Sequence, residues 1–240
     1  MELKLKSYAA ELRRKSGYNN AEPVNYKILL KQLDIITLFR PLSADFSGMS
    51  YKEDDSMFML VNCNHSLGRQ NFTIGHELFH LYFDKGFVPH KCNTGLFPIK
   101  NANERMADLF ASHLILPEEG ILQYIPEEEL IKDAIKLPTL LKIEQTFCSS
   151  RQALLHQLLK MELISKKFLD HYSANVKSGA RQFGFPLELY NSTPDNALVG
   201  AYGFLANNLW EQNKISEGHF RELMMAIGVD LNDNSFDEKT

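Results

Sequence analysis

The stretch N-F-T-I-G-H-E-L-F-H-L-Y-F-D, residues 71–84, decides how the rest of the chain is read. His76 and His80 stand four apart, so on a helix both imidazoles lie on one face and reach a single metal ion. Glu77, beside the first of them, is placed to act on water at that ion as a general base. Phe72, Ile74, Leu78, Phe79, Leu81, Tyr82 and Phe83 make the remaining surface apolar. The polar groups His76, His80 and Asp84 then form one stripe, at i, i+4 and i+8, on a helix that is otherwise buried. Such a stripe faces a cleft. The competing reading is a pair of core histidines satisfied by hydrogen bonds.

Two histidines do not complete a zinc site. In the longer H-E-x-x-H-x-x-G-x-x-H arrangement a glycine and a third histidine would fall at Phe83 and Gly86, which excludes that class. Beyond a Gly/Pro-containing loop at 86–98, a second helix is expected over residues 102–116, ending at Pro117. It carries Glu104 and Asp108 one turn apart, beside the small residues Ala107 and Ala111. Glu104 can supply the third ligand and leave a fourth position open for water. Asp108 can accept a hydrogen bond from the outer N–H of a ligand histidine and fix its tautomer. His90 and Cys92 read as incidental.

Residues 68–80, G-R-Q-N-F-T-I-G-H-E-L-F-H, and 104–117, E-R-M-A-D-L-F-A-S-H-L-I-L-P, together resemble the ImmA/IrrE-type metallopeptidases. Their pattern is R-x-x-F-T-x-A-H-E-L-x-H followed by E-x-x-A-N/D-x-F-A-x-x-L-L-x-P. The resemblance implies zinc ligation by His76, His80 and Glu104, with Glu77 as the base. It also implies a gluzincin-like core and a protein substrate that is a helix-turn-helix transcriptional repressor. Gly75 stands where alanine is usual, and Phe79 where glycine is common. Phe79 either narrows the cleft or turns into the core.

The 240 residues are 44% hydrophobic and 23% charged, enough apolar material for a real core. A net charge of −4 gives no global attraction to DNA or to an anionic membrane. Residues 1–17 are charged throughout and lack the apolar centre of a secretory signal. No apolar run reaches the length of a bilayer span. Three scattered cysteines without a C-x-x-C fit a reducing cytoplasm.

Before the motif, helices are expected over 2–15 and 24–33, then three short strands at 35–39, 46–51 and 57–62 forming a small antiparallel sheet. The strand at 58–62 is a candidate edge for pairing with an extended substrate. After Pro117 come helices over 127–135 and 138–147. A turn at Cys148, Ser149 and Ser150 leads into another over 151–160, with a serine as its cap. This helix-turn-helix-like unit is mildly basic. Arg151 and Lys160 on its outer side are candidate contacts for a partner or DNA, although packing is the favoured role. Residues 179–191 read as irregular. Thr193-Pro194 reads as the start of a helix through Leu209, and Ser216 as the cap of a last one. Residues 232–240 form a polar tail.

The expected fold is α+β and mainly helical. A metallopeptidase core (1–125) with a small antiparallel sheet precedes a helix-turn-helix-like segment (126–168) and a C-terminal helical region (169–240). The expected activity is zinc-dependent cleavage of a specific intracellular protein. The alternative is a non-enzymatic DNA- or protein-binding regulator whose metal site is structural or vestigial.

Overall fold

The computed structural model describes residues 1–84, 102–193, 197–229 and 231; His90, Cys92 and the 86–98 loop lie outside them. Helix α1 (Glu2–Lys15) buries Leu5, Ala9 and Leu12, an apolar stripe at helical spacing. Helix α2 (Tyr26–Gln32) begins at Asn25, whose side chain accepts from the Ile28 amide. Three strands follow, β1 (Ile35–Arg40), β2 (Gly48–Glu53) and β3 (Ser56–Asn62). The motif helix α3 (Leu67–Phe83) and helix α4 (Ala102–Ile115) pack side by side.

The sheet is mixed, not antiparallel. Its order is β2-β3-β1, and β3 runs antiparallel to β2 but parallel to β1, with Ile36 opposite Phe58. Asn62, fully buried, sets this topology. Its amide nitrogen donates to the carbonyls of Ser43 (2.8 Å) and Phe46 (2.7 Å), and its oxygen accepts from the Leu42 amide (3.0 Å). That clamp carries the chain past the end of β3 and lays β2 on the far side. Strand β3 is therefore internal, and among the described residues the edge strand beside α3 is β2.

Helix α5 (Glu118–Leu122) follows Pro117. The helix expected over 127–135 is only a 3-10 turn, Glu127–Glu129. Helices α6 (Leu137–Phe147) and α7 (Arg151–Lys160) flank a tight turn in which Cys148 takes left-handed φ 48°. Ser150 caps α7 by accepting from the Ala153 amide at 3.2 Å. Helices α8 (Lys166–Tyr172) and α9 (Val176–Gln182) come next, α9 lying partly in the stretch expected to be irregular.

Residues 188–193 then return to the motif helix. Asn191 accepts from the Leu67 amide (3.0 Å), and the Thr193 amide donates to the Cys63 carbonyl (3.1 Å). The Thr193 hydroxyl is engaged with Gln70 of α3, and Pro194, expected to open a helix with it, lies outside the described residues. Strand β4 (Leu198–Val199) pairs antiparallel with β1, and only then does α10 (Tyr202–Glu211) begin. Ser216 caps α11 (Glu217–Ala226).

One continuous cluster of buried side chains runs from Leu5 to Phe168, and α3 is buried along nearly its whole length within it. Each fully buried Leu or Phe there contributes roughly 1.5–3 kcal/mol. No described helix is long and apolar enough to cross a membrane.

Candidate metal centre

Helices α3 and α4 approach closely because small residues meet at the crossing. A Cβ on Gly75 would lie 3.2 Å from the Ala111 Cβ and 3.3 Å from its Cα, so alanine at this position would press α4 outward. The close approach brings Glu104 and Asp108 over the histidines of α3. The Glu104 carboxylate oxygens lie 3.3 Å from the Nε2 atoms of both His76 and His80. Those two Nε2 atoms are themselves 3.2 Å apart.

The outer nitrogens explain the orientation. His76 Nδ1 donates to Asp108 Oδ1 at 2.8 Å, and His80 Nδ1 donates to Asp84 Oδ2 at 3.1 Å. A neutral imidazole that donates from Nδ1 presents Nε2 as a bare lone pair. With both rings in that tautomer, two lone pairs and a carboxylate converge, an arrangement that a bound divalent cation would stabilise. Tetrahedral zinc with bonds of about 2.0–2.1 Å holds its ligands about 3.3–3.4 Å apart, the spacing seen here. His76, His80 and Glu104 form the group able to hold such an ion among the described residues. Both histidines are buried, whereas the Glu104 and Asp108 side chains keep 21% and 23% exposure, so the centre opens to solvent along α4.

Glu77 is 1% exposed. Its Oε2 accepts from Ser50 Oγ on β2 at 2.7 Å, while Oε1 is buried and without a partner among the described residues. A buried carboxylate oxygen without a partner among the described residues, on the residue next to His76, has the chemistry of a proton acceptor.

Sequence reasoning gave no role to Asp84, Asn103 or Ser50. Asp84 is held by Asn103 Nδ2, 3.3 Å from both its oxygens, and holds His80 as Asp108 holds His76. Its signal was present in the i, i+4, i+8 stripe. Ser50 carried none, since a serine in a short strand is ordinary. Phe79 is 3% exposed and packs on Phe83 and Phe110, so it turns into the core and does not narrow the cleft.

Other candidates lie elsewhere. His113 stands half a turn round α4 from Glu104 and accepts from the Lys160 ammonium at 2.8 Å. Burial, aided by that ammonium, pushes its pKa down to about 4. Lys160 also pairs with Glu2 at 2.9 Å. Arg151, expected on the outer side of α7, is 4% exposed. Its guanidinium donates to the buried Glu144 carboxylate and to the Tyr172 carbonyl (3.2 Å), an internal cross-link that occupies it. The outward residues of α7 include Gln152 and His156.

A family model described as the IrrE N-terminal-like domain of the M78 peptidases matches residues 30–159. The chain belongs to this family. The matched M78 region contains β1–β3, the motif helix and the helix bearing Glu104, and the family assignment brings a metal cofactor and a peptidase character with it. A comparison with curated proteins gives no match.

Proposed function

We propose that this M78 family member is a zinc-dependent endopeptidase that cuts a specific intracellular protein, a helix-turn-helix transcriptional repressor, and so controls gene expression. The observation that carries the chemistry is the convergence of His76 Nε2, His80 Nε2 and Glu104 on one point, while Glu77, next to His76 in the sequence, keeps one buried oxygen without a partner among the described residues. When bound, zinc would polarise the scissile carbonyl and bring a water's pKa to about 7. Asp108 and Asp84 hold the ligand imidazoles in one tautomer. Glu77 Oε1 takes the proton of the attacking water and delivers it to the departing amine. The edge strand β2 offers backbone groups to an extended substrate, the role first assigned to β3. The repressor as substrate rests on the family resemblance alone.

The alternative, a regulator that reads DNA through α7, gains little support. Helix-turn-helix readers contact bases with the N-terminal residues of the second helix. Here Ser149, Arg151 and Ala153 are buried, and Gly68 of α3 lies against the Ser150 backbone.

Cells producing wild-type protein or Glu77→Gln are to be compared by mapping new protein termini. A few Glu77-dependent cuts in one transcriptional regulator are expected. Broad cleavage of unrelated proteins would remove the specificity, and no Glu77-dependent cut under any condition would favour the non-enzymatic regulator.

A further inference from the structure

Strand β2 packs on the motif helix, and at Gly48 the contact is unusually close. A Cβ on Gly48 would sit 2.6 Å from Thr73 Cγ2 and 2.8 Å from the Leu60 carbonyl oxygen, so only glycine lets the strand settle there. Strand alternation then turns Ser50, two residues on, to the same face. Ser50 is 1% exposed, and its hydroxyl donates to Glu77 Oε2 at 2.7 Å. The neighbours Tyr51, Lys52 and Glu53 are all exposed.

We propose that Ser50 is a positioning residue for Glu77: its hydroxyl holds Oε2 and thereby presents Oε1 to the water that the metal centre activates. The inference rests on the metallopeptidase reading and deepens it. A glutamate carboxylate turns easily about its last torsion, whose preference is broad and two-fold. A charge-assisted O–H···O− bond at one oxygen removes that freedom. The strand that supplies the hydroxyl is also the edge strand, so Ser50 joins the candidate substrate-binding strand to the base.

The test uses the full-length protein loaded with Co(II), which reports its ligands in the visible spectrum, and acetohydroxamic acid as probe. A hydroxamate chelates the ion and places a protonated oxygen or nitrogen beside the neighbouring carboxylate, so its affinity senses where that carboxylate lies. Wild type, Ser50→Ala, Glu77→Gln and the double variant are compared for metal content, melting temperature and hydroxamate affinity. All four are expected to hold one ion per chain. Ser50→Ala should bind acetohydroxamate roughly tenfold more weakly than wild type, within the range for partners of metal-site groups. In the Glu77→Gln background the same change should have an effect of less than about twofold, because the oriented group is gone. Unchanged hydroxamate affinity in Ser50→Ala with metal retained, or a loss that persists in full without Glu77, overturns the proposal and leaves the metal centre standing. A wild-type protein that takes up neither cobalt nor zinc overturns both.

Discussion

His76 and His80 face one another through Nε2 atoms 3.2 Å apart, each with its other ring nitrogen turned to a carboxylate. Facing lone pairs at that distance repel, so the native arrangement is less stable without a cation than with one. Chelation should lower the melting temperature, and added zinc should restore it. At a free zinc concentration a hundred times Kd, the gain is about 2.7 kcal/mol. Calorimetry with and without chelator checks this. Glu104→Ala should lose the response, whereas Glu77→Gln should keep it.

Asp108 and Asp84 hold the two ligand rings by equivalent bonds. Replacing either by Ala should weaken zinc affinity by something like 10–100-fold with the fold intact. Asn103→Ala, whose amide donates to Asp84, should lose less. Competition against a zinc-sensitive dye measures all three, and equal affinity in Asp84→Ala would return that residue to a simple helix end.

Gly48→Ala should destabilise the protein by about 1–3 kcal/mol, the usual penalty of overpacking, because one obstructing atom is the Leu60 backbone oxygen. Denaturant unfolding gives the number. An Ala variant as stable as wild type would mean that β2 can move away from α3.

His113 links stability to pH. Burial pushes its pKa down to about 4 in the folded chain, against 6.5 for a free imidazole. The unfolded chain therefore binds the extra proton between these values, and stability falls as pH drops through that window, by at most about 1.4 kcal/mol per pH unit. Urea midpoints from pH 7 to pH 4 should fall less steeply in His113→Gln than in wild type.

Arg151 and Glu144 are both buried, and burial raises the Glu144 pKa against the pull of the guanidinium. Removing either partner alone strands a charge. Arg151→Ala should cost about 3–5 kcal/mol, whereas exchanging both for apolar residues of similar size should cost far less. A small effect of the single change would show that the outward reading of Arg151 was the better one.

The His76 and His80 pair was legible because helical spacing is local: four residues apart means one face, whatever the fold does later; Glu104, on another helix, was reached through its pairing with Asp108 and the family resemblance. The sheet was less legible. Its strands were placed to within a residue or two, but their order depends on Asn62 gripping a loop some twenty residues upstream, and no strand pattern encodes that. Strand β4 was missed because two residues carry no periodicity and their partner lies in β1. Arg151 misled because a charged residue at a helix start reads as solvated, and only its partner Glu144 on the preceding helix draws it inside.

The return of residues 188–199 bears on how the molecule is made. Synthesis proceeds from the N-terminus, and folding ordinarily follows domain by domain. Here β1 has no neighbour on its outer side until Val199 has left the ribosome, and the start of α3 lacks its Asn191 and Thr193 partners until nearly then. The region matched by the family model is thus finished only once residues 188–199 have emerged, well beyond residue 159, where the match stops. A nascent chain carries His76, His80 and Glu104 long before it carries the segment that braces the helix bearing the two histidines. The helix that bears both histidines is thus braced from a part of the sequence more than a hundred residues downstream of it.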